Sequence, residues 1–319
     1  MKILNAIGKE FSLSAKPILE KAGEVDYLNL AQDEFEEKIV SYDAAVLGLG
    51  LNLNEEVLRK AKNLKVIATA TTGLDHIDLK TAQEKGIEVL SLKGEEEFLK
   101  TIAGTAELAF GLLIDLSRMV SAGFESVKKG EWDREKFRGH NLRGKTLGIL
   151  GLGRLGQMMA KYGLAFGMRA IACDPYVKKE SFSDSGCRRV DFETLLKESD
   201  AVSIHVHLSE KTEGLFSKES FEKMKDGALL INTSRGKIVN EEDLIQFLKN
   251  GKIGGYAADV LTNELKFGKK FESDPLVECA KNGQNVIITP HIGGMTYESR
   301  EATDMFISQK LLDYVQNNE

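Results

Sequence analysis

Apolar runs of strand length alternate with amphipathic helical patterns along most of this chain. In the first third, the strand-like runs lie at 2–7, 44–50, 65–70 and 87–92. Between them, segments 54–63 and 78–86 have the apolar spacing of helices, with Gly or Asn near their ends. This alternation predicts an α/β fold in which helices cover both faces of a parallel sheet.

A long helical pattern at 101–120 interrupts this alternation, which resumes with an apolar run at 145–153. We interpret the long helix as a bridge between two α/β units. The length of 319 residues also exceeds what one hydrophobic core usually covers. A last helical pattern, at about 297–316, follows the second unit and is free to pack on the first.

Net charge, apolar runs and cysteine spacing indicate which kinds of partner and which cellular location to expect. A formal net charge of -6 gives no reason to expect nucleic acid. No apolar run approaches the length of a membrane span, and the first residues lack a signal peptide's apolar stretch, so we expect no membrane partner. The 3 cysteines show no CxxC spacing, so we expect no metal site and a reducing, cytoplasmic location.

A glycine-rich turn stands between an apolar strand and a helical pattern at 147–163. Gly151, Gly153 and Gly156 have the GxGxxG spacing of a dinucleotide site. The first glycine permits the tight turn, the second lets the backbone approach a pyrophosphate, and the third allows close helix–strand packing. The helix N-terminus would present free N–H groups to the phosphates.

The next strand, 168–174, ends in an acidic residue, Asp174. A carboxylate there accepts hydrogen bonds from both ribose hydroxyls and repels a 2′-phosphate, so we predict NAD rather than NADP. By itself, an aspartate before Pro175 is also typical of a turn or a helix cap. Lys178 and Lys179 lie downstream and leave the use of NADP open.

Polar residues follow three further strand-like runs, at 227–236, 254–264 and 285–294. In parallel sheets ligands bind at the carboxyl ends of strands, so Arg235, Glu264 and His291 are predicted to lie near one another. Singly, they would be a surface arginine, a solvated glutamate and a loop histidine. Together they make a complete set for the reduction of a 2-oxo acid.

Each of these side chains has a predicted role. The planar fork of Arg235 would hold the substrate carboxylate and polarise the carbonyl. His291 would give the carbonyl oxygen its proton as hydride arrives. Glu264 would accept the other ring N–H, orient the imidazole and favour its protonated form. We expect Asp259 to face the nicotinamide carboxamide.

These residues resemble those of the D-isomer-specific 2-hydroxyacid dehydrogenases, a family that includes phosphoglycerate, glycerate and formate dehydrogenases. The resemblance covers nearly the whole chain. It is most specific in LRGKTLGILGLGRLGQ, LLINTSRGKIVNEEDL, ADVLTNE and ITPHIGG. It implies a short, phosphoglycerate dehydrogenase-like form without the regulatory domain of longer members.

The resemblance also implies two doubly wound parallel-sheet domains with the active site in the cleft between them. The first is a flavodoxin-like substrate domain, residues 1–97 plus 292–319, and the second a Rossmann NAD-binding domain, residues 98–291. A homodimer through the NAD-binding domain is expected. Besides the three glycines, its cofactor positions fall on Arg154, Leu155, Asp174, Val206, Thr233, Ser234, Asp259 and Gly294. The backbone N–H groups of its substrate-carboxylate loop fall on Thr71, Thr72 and Gly73.

Departures from the family pattern bear on the substrate. Members that bind a phosphorylated acid resemble one another in arginines at positions that we align with Gly48 and Thr69. A phosphate without a facing cation loses charge-assisted hydrogen bonds of about 1.5–3 kcal/mol each. We therefore predict a substrate other than 3-phosphoglycerate, although Lys93 or Lys100 would reverse this if either reached the phosphate.

Two smaller departures lie near the predicted site. Leu265 stands where the family usually has proline, and His207 replaces a proline near the nicotinamide. We expect His207 to have a neutral role at the surface. Formate dehydrogenase is disfavoured, because its members have glutamine where Glu264 stands.

Two other functions stay open. The family includes NAD(H)-responsive corepressors that dock partners and turn over little substrate, although such a sensor has little need for an intact Arg–Glu–His set. A dehydrogenase of an inorganic oxyanion such as phosphite would need another cation, and segment 69–76 offers none.

Overall fold

The computed structural model of this chain describes residues 1–264, 267 and 273–318. They form two compact units, Met1–Ile102 with Met295–Glu319, and Ala103–Gly294. The boundaries expected from the sequence lay at 97/98 and 291/292. The residue Leu265, at which a departure was noted, lies outside the described residues.

The first unit is built on a five-stranded sheet in which every pairing is parallel. Its strands are β1 (Lys2–Asn5), β2 (Glu24–Tyr27), β3 (Ala44–Leu47), β4 (Val66–Thr69) and β5 (Glu88–Leu90). Their order, β2-β1-β3-β4-β5, is that of a flavodoxin-like doubly wound sheet.

Helices cover both faces of this sheet, because successive strand residues point to opposite sides. Ile3 packs with Leu19 and Ile307 on one face, and Leu4 packs with Phe35 on the other. The helices are α1 (Lys16–Leu19), α2 (Gln32–Ile39), α3 (Glu55–Lys60), α4 (Leu79–Glu84), α5 (Glu96–Leu99) and the last helix, α14 (Tyr297–Asn318).

The second unit is built on a seven-stranded sheet that is also parallel throughout. Its strands are β6 (Thr146–Leu150), β7 (Arg169–Cys173), β8 (Arg188–Arg189), β9 (Ala201–Ile204), β10 (Ala228–Asn232), β11 (Ile253–Ala258) and β12 (Val286–Ile288). The order β8-β7-β6-β9-β10-β11-β12 reverses direction at β6, as in a Rossmann sheet. The predicted fold class, two parallel-sheet α/β units, is confirmed.

Two apolar layers enclose this second sheet. Val202 and Ile204 of β9 face one layer, while Ala201 faces the other. The helices of this unit are α6 (Gly104–Arg118), α7 (Val120–Lys128), α8 (Arg154–Ala165), α9 (Lys179–Asp184), α10 (Phe192–Glu198), α11 (Lys218–Lys223), α12 (Glu241–Lys249) and α13 (Pro275–Lys281).

The helix predicted at 101–120 is present as α6, but the sequence analysis missed the second helix, α7, which follows a break at Met119. Met119 adopts a left-handed conformation with φ 54° and ends α6. The carboxylate of Asp115 then accepts the N–H of Ser121 at 2.8 Å at the start of α7. No pattern of apolar residues signals a left-handed residue that is not glycine.

Across the described residues, no helix combines the length and the apolar character that crossing a membrane requires. In the same residues, no group of three or more His, Cys, Asp or Glu side chains is arranged to hold a metal ion.

Candidate active site

The three strands that carry the predicted catalytic residues are neighbours in the second sheet. Residues at the ends of β10, β11 and β12 are in register, Asn232 beside Ala258 and Ala258 beside Ile288. Because the strands are parallel, the segments that follow them leave from one edge of the sheet. Arg235, Glu264 and His291 all lie on these segments.

His291 and Glu264 form a direct pair. Nδ1 of the imidazole lies 2.9 Å from Oε1 of the carboxylate. A carboxylate can only accept in this pair, so Nδ1 carries the proton and Nε2 is the ring nitrogen left for a ligand. About a quarter of each side chain remains exposed, 27% and 25%. The second oxygen of Glu264 accepts the N–H of Leu261 at 3.3 Å, which steadies the carboxylate.

His291 has a left-handed backbone, with φ 54°, which is uncommon for a residue other than glycine. The carboxylate of Asp259, 1% exposed, holds this turn. Oδ1 accepts the hydroxyl of Thr289 at 2.6 Å and the N–H of Ile292 at 2.8 Å. Oδ2 accepts the N–H of Gly293 at 2.7 Å. These three bonds to one carboxylate keep His291 in its strained conformation.

This arrangement adds a role for Asp259 that the sequence analysis missed. A strand-end aspartate was expected to face the nicotinamide, and its role toward the cofactor stays a prediction. Burial raises the pKa of the Asp259 carboxyl, against the lowering effect of its hydrogen bonds to Thr289, Ile292 and Gly293. No pattern in the sequence signals a clamp whose partners lie 30 or more residues away.

The turn that carries Arg235 packs closely on the loop that leads to Glu264. A Cβ atom added to Gly236 would lie 2.2 Å from backbone atoms of Leu261 and Thr262. The side chain of Asn232, fully buried, donates to the carbonyl of Arg235 at 2.9 Å. Asn232 was not foreseen as part of the site, although a polar residue at the end of an apolar strand was a usable signal.

The glycine-rich turn has the geometry that a dinucleotide requires. Gly151 has φ +90°, and a Cβ atom there would lie 2.7 Å from the carbonyl oxygen of His205. A Cβ atom at Gly156, in α8, would lie 2.1 Å from the carbonyl oxygen of Gly151. No atom lies within 4 Å of the Cβ position at Gly153, so its backbone is open to approach.

The remaining predicted cofactor residues surround this turn or follow β9, β10 and β12. Asp174 accepts the N–H groups of Leu152 and Tyr176, each at 2.9 Å, and keeps lone pairs for ribose hydroxyls. Ser234 donates to the carbonyl of Val206, which ties the ends of β9 and β10 together. No described group bonds to the buried hydroxyl of Thr233.

Arg154 and Leu155 are the first residues of α8 and are partly buried. Burial lowers the pKa of the Arg154 guanidinium. A Cβ atom at Gly294 would meet nothing within 4 Å, so this backbone is also open. The orphan hydroxyl of Thr233 and the open glycine turn fit a dinucleotide.

Two histidines follow β9. His205 lies 2.8 Å from the hydroxyl of Ser203 through Nε2, and burial lowers its pKa to about 4, so its ring is neutral at neutral pH. His205 was missed by the sequence analysis. His207 is exposed, and its carbonyl accepts the hydroxyl of Thr212 at 2.7 Å.

In the first unit, the predicted carboxylate loop connects β4 with α4. Thr71, Thr72 and Gly73 are partly exposed. The carbonyl of Thr71 accepts the N–H of Leu92 at 3.0 Å, whereas no described residue accepts the N–H of Thr72, Gly73 or Leu74. Three successive N–H groups are therefore able to donate to a bound anion.

Comparison with known proteins identifies the family. Residues 110–293 match the NAD binding domain of the D-isomer specific 2-hydroxyacid dehydrogenases. The chain belongs to this family, and NAD is its cofactor.

The chain is 38% identical over 288 residues to the hydroxypyruvate reductase of Thermotoga maritima, and this match covers 90% of each chain. It is 37% identical over 312 residues to the D-3-phosphoglycerate dehydrogenase of Archaeoglobus fulgidus, and this match covers 94% of this chain and 56% of that protein. The chain thus spans about half the length of the phosphoglycerate dehydrogenases that it matches.

Among solved structures, the fold is similar to the D-lactate dehydrogenase of Aquifex aeolicus in complex with NAD and lactic acid. The TM-score is 0.86 with 30% sequence identity, and the match covers 100% of this chain and 96% of the other.

Proposed function

We propose that this chain is an NAD-dependent oxidoreductase that interconverts a small 2-oxo acid and the (R)-2-hydroxy acid, with reduction as the physiological direction. The observation that carries the proposal is the His291–Glu264 pair, 2.9 Å apart, on a sheet edge that also carries Arg235. NAD, when bound, supplies or accepts the hydride. Gly151, Gly153 and the other cofactor residues would hold it.

His291 supplies the proton. Nδ1–H donates to Glu264, so Nε2 is the atom that faces the substrate carbonyl. In reduction, Nε2–H donates its proton to the carbonyl oxygen as this oxygen becomes an alkoxide, and in oxidation Nε2 takes the proton back. The Glu264 carboxylate stabilises the imidazolium and keeps the ring in this orientation.

Two groups bind the acid function. The guanidinium of Arg235 pairs with the carboxylate and withdraws electron density from the carbonyl. The N–H groups of Thr72, Gly73 and Leu74 are without described acceptors, which supports their assignment to the carboxylate as well. This assignment makes the first unit the substrate-binding domain.

The substrate side chain is proposed to be small and unphosphorylated. Thr69, where a phosphate-binding arginine would stand, is fully buried, and its hydroxyl lies 3.0 Å from that of Thr71. Lys100 is exposed and pairs with Glu97. The similarity to the Thermotoga hydroxypyruvate reductase over 90% of both chains agrees with this substrate class.

The test is the loss of NADH absorbance with a panel of 2-oxo acids. Glyoxylate, pyruvate, hydroxypyruvate, 2-oxoglutarate and phosphohydroxypyruvate span the relevant sizes and charges. We expect turnover with a small acid, and at least a 100-fold loss in His291→Ala, as general acid catalysis contributes about 10²–10⁴-fold. A preference for phosphohydroxypyruvate would contradict the argument from the absent arginines.

An NAD(H)-sensing protein with little turnover is the alternative function. It predicts tight NADH binding but no turnover on any acid of the panel. The intact pair of His291 and Glu264 argues against it, because a sensor has little need for a proton relay.

We also infer a homodimer through the NAD-binding domain. On α7, Val120, Phe124 and Val127 are exposed at the spacing of one helix face, and Trp132 is exposed nearby. Sedimentation should give a dimer for the wild type and a monomer for Phe124→Glu. A monomeric wild type would contradict the proposed homodimer.

The free thiols of Cys173, Cys187 and Cys279 fit a reducing compartment, which supports a cytoplasmic location.

A further inference from the structure

A chain of side-chain hydrogen bonds runs beneath the carboxylate loop. Nε2 of His76 lies 3.5 Å from the hydroxyl of Thr69, the last residue of β4. That hydroxyl lies 3.0 Å from the hydroxyl of Thr71, which in turn donates to the carbonyl oxygen of Gly73 at 2.8 Å. These hydrogen bonds therefore connect His76, near the end of this loop, with the Gly73–Leu74 peptide group.

The carbonyl of Gly73 determines which group donates in each of these three hydrogen bonds. A carbonyl only accepts, so the single proton of the Thr71 hydroxyl is used there. Thr71 must then accept from Thr69, whose own single proton is used in that bond. Thr69 in turn must accept from His76, so Nε2 of His76 carries a proton.

This direction determines where one N–H group of the loop points. The carbonyl of Gly73 and the N–H of Leu74 belong to the same planar trans peptide, in which the two groups point in opposite directions. Because Thr71 holds the Gly73 carbonyl on its own side, the N–H of Leu74 is directed away from the buried chain. This is one of the three N–H groups without a described acceptor.

His76 is a fixed anchor for the chain. Its residue is 4% exposed, and its carbonyl accepts the N–H of Leu53 at 2.8 Å. The carbonyl of Leu53 accepts the N–H of Asp78, also at 2.8 Å, so the backbone from His76 to Asp78 is held by the segment that follows β3. The imidazole thus starts from backbone that is anchored to the segment after β3.

We propose that His76 is a positioning residue for the substrate carboxylate: through Thr69 and Thr71 it holds the Gly73–Leu74 peptide with its N–H toward the acid. This role rests on the proposed function. A carboxylate is bound equally in the ground state and in the transition state. The hydrogen bonds from His76 to Gly73 therefore affect KM and leave kcat largely unchanged.

The kinetic test uses isosteric and conservative variants. Thr71→Val replaces the donating hydroxyl by a methyl group and should raise KM for the preferred 2-oxo acid about 10-fold. His76→Leu should raise KM about 5-fold. His76→Gln retains an N–H donor and should restore KM to within about 2-fold of the wild type. In all three, kcat and the Kd of NADH should stay within about 2-fold.

Thr303→Val is the matched control. Thr303 lies in α14 of the same unit, and its hydroxyl also donates to a backbone carbonyl at 2.8 Å, that of Ser299. Its loss should lower stability without any change in KM. An increase in KM as large as that of Thr71→Val would show a general effect of lost stability and would overturn the proposal.

A second measurement does not depend on turnover. Long-range ¹H–¹⁵N correlation spectra distinguish the two ring nitrogens of each histidine, and the signal that His76→Gln removes belongs to His76. We expect a protonated Nε2. An unprotonated Nε2 would overturn the proposal, because Thr69 would then have no donor in His76.

The outcomes separate this proposal from the proposed function. A wild type that turns over no acid of the panel would remove both. A wild type that turns over normally, with an unchanged KM in His76→Leu and Thr71→Val, would remove only the role of His76.

Discussion

The glycine-rich turn allows cofactor binding and folding stability to be separated by two substitutions of the same kind. Gly153→Ala and Gly156→Ala each add one methyl group, three residues apart. Gly153 has φ -71° and ψ -164°, a conformation open to any residue, and its Cβ position meets nothing within 4 Å. At Gly156 the new Cβ atom lies 2.1 Å from the carbonyl oxygen of Gly151 and 3.1 Å from Cγ2 of Ile149.

The two substitutions are expected to change different quantities, NADH affinity for Gly153→Ala and folding stability for Gly156→Ala. Gly153→Ala should raise the free energy of unfolding by about 0.4–1 kcal/mol, since alanine restricts the unfolded chain. Its methyl group occupies the space through which a pyrophosphate approaches the backbone. Loss of one charge-assisted hydrogen bond, about 1.5–3 kcal/mol, raises the Kd of NADH roughly 10- to 150-fold. Gly156→Ala should lower the free energy of unfolding by about 1–3 kcal/mol or more, through overpacking against backbone.

Two assays on both variants decide the matter. Calorimetric titration with NADH measures Kd, and urea unfolding without cofactor measures stability. We expect weak binding with full stability for Gly153→Ala, and early unfolding for Gly156→Ala. Wild-type affinity in a folded Gly153→Ala protein would refute the placement of the pyrophosphate at this turn.

Three further predictions concern substitutions of single carboxylates, one of them in the His291–Glu264 pair. Glu264→Gln should lower kcat at least 10-fold with little change in the Kd of NADH, because an amide stabilises the His291 imidazolium less than a carboxylate does; an unchanged kcat would contradict the pairing. Asp259→Asn should lower the free energy of unfolding by about 1–3 kcal/mol and lower kcat, since an amide cannot accept all three donors of the histidine turn; denaturant unfolding and steady-state kinetics measure both. Burial raises the folded-state pKa of Asp304, whose carboxylate accepts the N–H of Ser12 at 3.1 Å, above the ordinary 3.8. The stabilisation by protonated Asp304 is therefore complete below the unfolded pKa and is lost as pH rises through the folded pKa. Asp304→Asn should gain stability relative to the wild type at neutral pH and lose this gain in acid, and identical pH profiles of urea unfolding would exclude this role.

Much of the fold and of the site was predictable because it depends on local patterns and one rule of parallel sheets. Apolar runs and amphipathic spacing indicated the alternation of strands and helices. The carboxyl ends of parallel strands meet at one edge, so residues as far apart as Arg235 and His291 were predicted to lie near each other. The glycine spacing before α8 indicated the dinucleotide turn, because each glycine answers a separate steric requirement.

The tertiary structure alone decided how these side chains are held. The left-handed backbone of Met119 and of His291 has no signal in residue type, since both residues ordinarily adopt other conformations. The clamp by Asp259 and the chain from His76 to Gly73 join groups whose directions depend on φ and ψ and on burial by distant segments. Hydrogen bonds of this kind depend on positions to within a few tenths of an ångström, and periodicity carries no information at that scale. The sequence by itself therefore determined which residues meet at the sheet edge, and the folded chain determined which of their atoms are bonded to one another.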